Sequence, residues 1–222
     1  MEVIELPYKA VLFDGDGTLY NSQPQSIATF QTFARIAGVK LPTERILGVM
    51  KSGKTLFGCC TEFFPEHCET DFERWMRENH EELIAQLELI RPFEGIIELM
   101  DILSKTKIIK SLVTNRSLND SLIRILELIG MSDSFDHIVH VTERLRPKPE
   151  PDLYLHSLSL LALSRKDLLA VEDAPSGIEA AKLVGLDCCA VLWGNGTETD
   201  LRRSKPTYIA SSIEELREII FR

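Results

Sequence analysis

No stretch of this chain stays apolar for anything near the roughly 20 residues that span a bilayer. The opening MEVIELPYKA lacks the basic start and apolar run of a secretory signal, so neither a leader nor a membrane segment is expected. Positive charge is also in short supply, with 25 Lys and Arg against 34 Asp and Glu and a formal charge of −9. That balance argues against a general affinity for nucleic acid or acidic membranes, although a local pocket can still attract a small anion. Cysteine is sparse. Cys59, Cys60, Cys68, Cys188 and Cys189 leave an odd residue and two adjacent pairs, which is no disulfide framework. Reduced thiols in a cytoplasm fit this usage. Internal repeats and low-complexity segments are absent as well.

What is present is ordinary globular composition, 44% hydrophobic and 27% charged over 222 residues, long enough for one domain with a large insert or two small ones. Short apolar runs at Lys9–Phe13, 108–114, 137–141, 168–172 and 188–193 read as buried parallel strands. Helical patterns lie between them. Leu122, Ile125, Leu126 and Ile129 share a helix face before Gly130, and Ile178, Ala181 and Val184 share another before Gly185. This alternation predicts an α/β fold, a Rossmann-like doubly wound parallel sheet.

Between Ser22 and Ile90 the rhythm changes to helical periodicity alone. Ile27, Phe30, Ala34 and Ala37 form one stripe; Phe72, Trp75, Met76, Leu83, Leu87 and Ile90 form another, expected on one long charged helix. Pro24 and Pro92 stand near the ends of this region, where linkers are expected. The reading is a core of residues 1–22 and 91–222 with a helical cap inserted at 23–90.

Polar residues gather at the predicted C-terminal strand ends: Asp14 after the first, Thr114 at the second, Glu172 and Asp173 at the fourth. Open parallel sheets bind ligands at those ends. The segment DGDGT, with Asp14 and Asp16, favours a turn in any case. A calcium loop is ruled out, because its fifth and twelfth positions would be Thr18 and Gln25. Covalent chemistry fits better. A carboxylate at a strand end can attack phosphorus, and a second one two residues on can give the leaving oxygen its proton and later activate water. Two like charges so close are expected to keep one acid protonated near neutrality. A phosphate dianion beside a carboxylate needs an intervening cation, and Mg²⁺ suits that task.

FDGDGTLYNS resembles the first motif of the haloacid dehalogenase-like (HAD) hydrolases, VTNRS the second, RPKPEPDLY the third and VEDAPSGIEAAKLVGL the fourth. They occur in family order, and the similarity runs from about residue 8 to the C-terminal PTYIASSIEELREI. The resemblance implies that Asp14 is the nucleophile and Asp16 the general acid/base, the latter also offering its backbone carbonyl to Mg²⁺. It implies that Thr114 and the next backbone amide hold the phosphoryl group with Asn115 nearby, and that Lys148 neutralises charge. Asp173 is implied as a Mg²⁺ ligand, with Glu172 binding directly or through water. Asp16 separates phosphatases and phosphomutases from the family's dehalogenases and ATPases. The expected activity is thus a Mg²⁺-dependent phosphatase for a small phosphorylated metabolite of sugar phosphate or phosphoglycolate type, or a sugar phosphomutase using the same nucleophile. A monomer is the default. Two positions depart from the family pattern: Gly15 replaces a bulky apolar residue, and Asn21 stands where an aspartate is common.

One motif competes. Gly48 to Thr55, GVMKSGKT, matches the phosphate-binding P-loop. The preceding PTERIL reads as a helical start instead of the buried strand a P-loop requires, and no apolar run ending in aspartate is left for its partner strand. As part of the insert, the loop could offer Lys54 or Lys51 to a substrate anion. Cys59, Cys60, His67 and Cys68 lack the separated pairs of a zinc site and read as packing residues.

Overall fold

The computed structural model describes residues 6–51, 56–65, 71–116 and 120–222. In chain order the elements are β1 (Ala10–Phe13), β2 (Tyr20–Asn21), α1 (Gln23–Ile36), α2 (Thr43–Met50), α3 (Leu56–Phe63), α4 (Glu73–Glu78), α5 (His80–Gln86) and β3 (Arg91–Pro92). There follow α6 (Ile96–Ser104), β4 (Ile109–Thr114), α7 (Asp120–Leu128), β5 (His137–His140), α8 (Asp152–Leu161), β6 (Leu168–Glu172), α9 (Pro175–Leu183), β7 (Asp187–Val191), α10 (Glu198–Arg203), β8 (Tyr208–Ala210) and α11 (Ile213–Phe221).

Six strands form one sheet in the order β5-β4-β1-β6-β7-β8, every pairing parallel. Each central strand buries both faces, which is why it reads as an apolar run. Val11 and Phe13 face one hydrophobic cluster with residues of α6, α7 and α11; Ala10 and Leu12 face another with residues of α8, α9 and α10. Leu169 and Val171 against Leu168 and Ala170 repeat the division on β6. The doubly wound α/β expectation holds. Strand order reverses at β1, so the crevice for a ligand lies at the C-terminal ends of β1, β4 and β6.

A third cluster is made only from residues between 27 and 83. Phe30, Phe33, Phe63, Phe64, Phe72 and Trp75 pack there, with Phe30 on Phe63 at 4.9 Å edge-on and Phe33 on Trp75 at 5.3 Å. The two chain segments flanking this region lie side by side. β2 and β3 pair antiparallel, Tyr20 opposite Pro92 and Asn21 opposite Arg91.

Two details correct the sequence reading. The expected long helix is broken at Asn79, whose backbone leaves helical geometry (φ −113°, ψ 28°); its N–H makes the last helical bond to the Trp75 carbonyl and its Nδ2 adds a second, both at 2.9 Å. The two-residue strands β2 and β3 and the short edge strand β8 went unpredicted, being too brief to show periodicity. Among the described residues no helix is long and apolar enough to cross a membrane.

Candidate active site

The sheet itself aims the first carboxylate. The Asp14 N–H continues the β1 ladder by donating to Val171 O at 2.9 Å, and the chain then turns sharply. The Gly15 carbonyl accepts from the N–H groups of Thr18 (3.2 Å) and Leu19 (2.9 Å). Gly17 adopts φ +87°, and a Cβ there would sit 1.9 Å from Asp173 Oδ2. Only glycine lets the turn pass this close to Asp173.

Lys148 enters from the loop between β5 and α8. Its side chain is 2% exposed, and Nζ donates to Asp14 Oδ1 at 2.8 Å and Val113 O at 2.6 Å while pairing with Glu172 Oε1 at 2.7 Å. The Tyr154 hydroxyl donates to that same Glu172 oxygen. Asn115 does not point away from this group. Its Oδ1 accepts the Lys148 N–H at 2.8 Å and its Nδ2 donates to the Lys148 carbonyl at 3.3 Å, so the amide positions the lysine backbone. The Thr114 hydroxyl, at the buried end of β4, accepts the Arg116 N–H at 3.1 Å and keeps its own proton to donate.

Burial pushes the Asp14 carboxyl well above the ordinary carboxylate range. Lys148 pulls it back, while Glu172 and Asp173 push it further up. Burial likewise raises Asp173 to about 7 against hydrogen bonds from Asn195, whose N–H and Nδ2 reach Asp173 Oδ2 at 2.7 and 2.9 Å. For Lys148 burial works against the charge, but Asp14 and Glu172 outweigh it and hold the ammonium form.

The expectation that one of the two aspartates is held up applies to Asp14, through burial, Glu172 and Asp173 and not through repulsion by Asp16; Asp16 itself shifts the other way. Burial would raise its pKa, yet Arg116 outweighs burial and holds it below the usual range. The guanidinium grips both carboxylate oxygens, Nε to Oδ2 and Nη2 to Oδ1, each at 2.7 Å.

Asp14, Glu172 and Asp173 bring oxygens within 4.8 Å of one another. The Asp16 side chain is not part of that group, being turned to Arg116. An all-oxygen donor set suits a hard cation such as Mg²⁺. The charge count agrees: with all four ionised, as a bound cation would hold them, Asp14, Asp16, Glu172 and Asp173 face the two cations Lys148 and Arg116, an excess of two negative charges.

The haloacid dehalogenase-like hydrolase profile matches residues 11–191, spanning all four site segments. The chain belongs to this family. Among curated relatives, hexitol phosphatase A of Escherichia coli is 30% identical over 94% of this chain and 93% of its own length. The pyrophosphatase PpaX of Bacillus velezensis is 26% identical over 95% of each. Among solved structures, a haloacid dehalogenase-like family hydrolase from Streptococcus pneumoniae superposes with a TM-score of 0.80 at 22% identity, covering 95% of this chain and 97% of that one.

For a haloacid dehalogenase-like hydrolase, Gly15 is an unusual residue between the two aspartates, and the structure supplies a reason. A Cβ at Gly15 would lie 2.6 Å from the Tyr20 hydroxyl oxygen. The fully buried Tyr20 fills that space, and its hydroxyl donates a long bond to Asp16 Oδ2 at 3.4 Å. Several site residues went unread in the sequence. Arg116 lies inside the quoted VTNRS, where a cation just past a strand end expected to hold phosphate was the available signal. Asn195 sits in WGNG after β7, and its Oδ1 also accepts from Gln23 Nε2 at 2.9 Å. Tyr154 carried no local signal. Lys54, His67 and Cys68 lie outside the described residues. Gly48 is inside α2, so no strand precedes the P-loop match. Lys51 ends that helix, exposed.

Proposed function

We propose that this protein is a Mg²⁺-dependent phosphatase that hydrolyses a small phosphorylated metabolite through an aspartyl-phosphate on Asp14. The observation that carries the reading is the convergence of Asp14, Thr114, Lys148 and Asp173 at the strand ends flanking the reversal point, with Asp16 one turn away. Curated relatives with phosphatase and pyrophosphatase activity in their names support the same class.

Lys148 engages Asp14 Oδ1, and Oδ2 is assigned the attack on phosphorus. The bond from phosphorus to the leaving oxygen breaks and its electron pair stays on that oxygen; Asp16, released from Arg116 and protonated from solvent beforehand, gives it a proton. The Asp16 carboxylate then takes a proton from water, whose oxygen displaces Asp14 from phosphorus. Thr114 donates its hydroxyl to the phosphoryl oxygens, and Lys148 holds the nucleophile in place while offsetting its charge. Asp14, Asp173 and the Asp16 backbone carbonyl would hold Mg²⁺, with Glu172 behind them. Bound Mg²⁺ supplies the positive charge that lets a dianion approach a carboxylate.

Residues 23–90 are assigned as a cap. Their own aromatic cluster and the paired β2 and β3 linkers support this, as do the contacts of Gln23 and Gln25 with site residues. The cap would exclude water and shape specificity. Cys59, Cys60, Cys188 and Cys189 are in no disulfide, which suits the cytoplasm. The test is a phosphate-release screen over sugar phosphates, phosphoglycolate, pyrophosphate and nucleotides, with and without Mg²⁺. Mg²⁺-dependent release from at least one is expected, and none from any would refute the reading.

A further inference from the structure

Two cations serve this site in different ways. Lys148 is sealed in, with side-chain exposure of 2% for it and 2% for its partner Glu172. Arg116 and Asp16 remain reachable from the cleft, at 22% and 28%. In the arrangement seen, both Asp16 oxygens accept from the guanidinium, which fixes the carboxylate edge-on against Arg116. Asp16 is free to turn to a leaving group once this pair opens.

We propose that Arg116 selects the substrate by exchanging Asp16 for a second anionic oxyacid group, carboxylate or phosphate, on the leaving-group side of the substrate. The proposal rests on the phosphatase reading of the same site. Three observations carry it. The guanidinium fork that now fits a carboxylate edge-on fits a substrate carboxylate or phosphate equally well. Arg116 is rooted beside the phosphoryl-holding residue through its N–H to Thr114 Oγ1, which keeps the fork next to the reacting centre. Its Nη2 also contacts Gln25 Oε1 at 3.3 Å on α1. Gln25 is itself oriented by its Nε2 donating to Thr29 Oγ1 at 2.9 Å, and the Thr29 hydroxyl donates to Gln86 Oε1 at 2.8 Å. This neutral anchor holds the guanidinium in the cleft when Asp16 departs.

Charge pairing decides between leaving groups. An incoming anion leaves Arg116 paired and Asp16 released. A neutral leaving group frees Asp16 only by stranding a partly desolvated guanidinium, which is unfavourable. Substrates with an anionic leaving group should therefore be preferred over polyol phosphates of equal size.

Binding of inert phosphonates tests this without turnover. Calorimetry at fixed Mg²⁺ would compare 3-phosphonopropionate, methylenediphosphonate and propylphosphonate on the wild-type protein, on Arg116→Gln, and on Arg116→Lys, which keeps a cation for Asp16 but loses the fork. Wild type should bind one or both anionic-tailed probes at least about tenfold more tightly than propylphosphonate. The carboxylate probe and the diphosphonate distinguish the two tail chemistries. Arg116→Gln should reduce the ratio to within about threefold, and Arg116→Lys should lower it. Equal affinities in the wild type, or a ratio unchanged in both variants, overturns the proposal. Because no turnover is involved, that failure is separate from failure of the phosphate-release screen.

Discussion

Replacing Gly15 by alanine places a methyl carbon 2.6 Å from Tyr20 Oη, 3.1 Å from Cζ and 3.3 Å from Cε1. Gly15 is not among the positive-φ residues, so its backbone accepts alanine and the cost is steric. Tyr20 is fully buried and cannot swing away, so the overpacking should destabilise the fold by about 1–3 kcal/mol. Tyr20→Phe removes the nearest atom and a long hydrogen bond to Asp16, for about 0.5–1 kcal/mol by itself. In the phenylalanine background the closest contact relaxes to the 3.1 Å of Cζ. Alanine should then cost less, giving a favourable coupling of about 1–2 kcal/mol in a double-mutant cycle. Urea unfolding of the four proteins, compared at equal slopes, measures it. Additivity within about 0.5 kcal/mol would show that Gly15 does not serve to admit Tyr20.

Other predictions follow from the same geometry. Lys148→Met leaves Asp14 and Glu172 buried without their cation and should destabilise the metal-free protein by about 3–5 kcal/mol, read from thermal or urea unfolding. An unfolding free energy within about 1 kcal/mol of wild type would show that the lysine is not needed to balance these charges. Asn195→Ala removes the 2.9 Å side-chain bond to Asp173 while leaving the backbone bond, so the Mg²⁺ concentration for half-maximal activity should rise about tenfold. An unchanged Mg²⁺ requirement would dissociate Asn195 from metal binding. Cys59, Cys60, Cys188 and Cys189 are buried, and burial pushes the Cys189 thiol up to about 12. A thiol reagent at pH 8 should therefore leave these four unmodified until denaturant is added, and rapid native labelling of any of them by peptide mass would contradict the packing.

How much of this was written locally depends on the distance between partners. The central strands were legible because a parallel sheet buries both faces and leaves unbroken apolar runs such as Ala10–Phe13 and Leu168–Glu172. Asp14, Thr114, Glu172 and Asp173 were legible because each stands at the end of such a run. The Asp16–Arg116 pair was not. Its members are 100 residues apart, and only the folded crevice shows that the cation reverses the effect of burial on Asp16. Gly15 was opaque for a related reason, since its explanation is a side chain five residues later that folds back over it. Asn79 breaks a helix whose apolar stripe continues across the break, so periodicity alone does not show the non-helical backbone at this one residue.

The covalent role of Asp14 is tested most directly by Asp14→Asn on the best substrate from the release screen. With folding checked by circular dichroism, Mg²⁺-dependent phosphate release should fall by at least about 10³-fold. A folded Asp14→Asn protein that still releases phosphate at close to the wild-type rate would contradict the account.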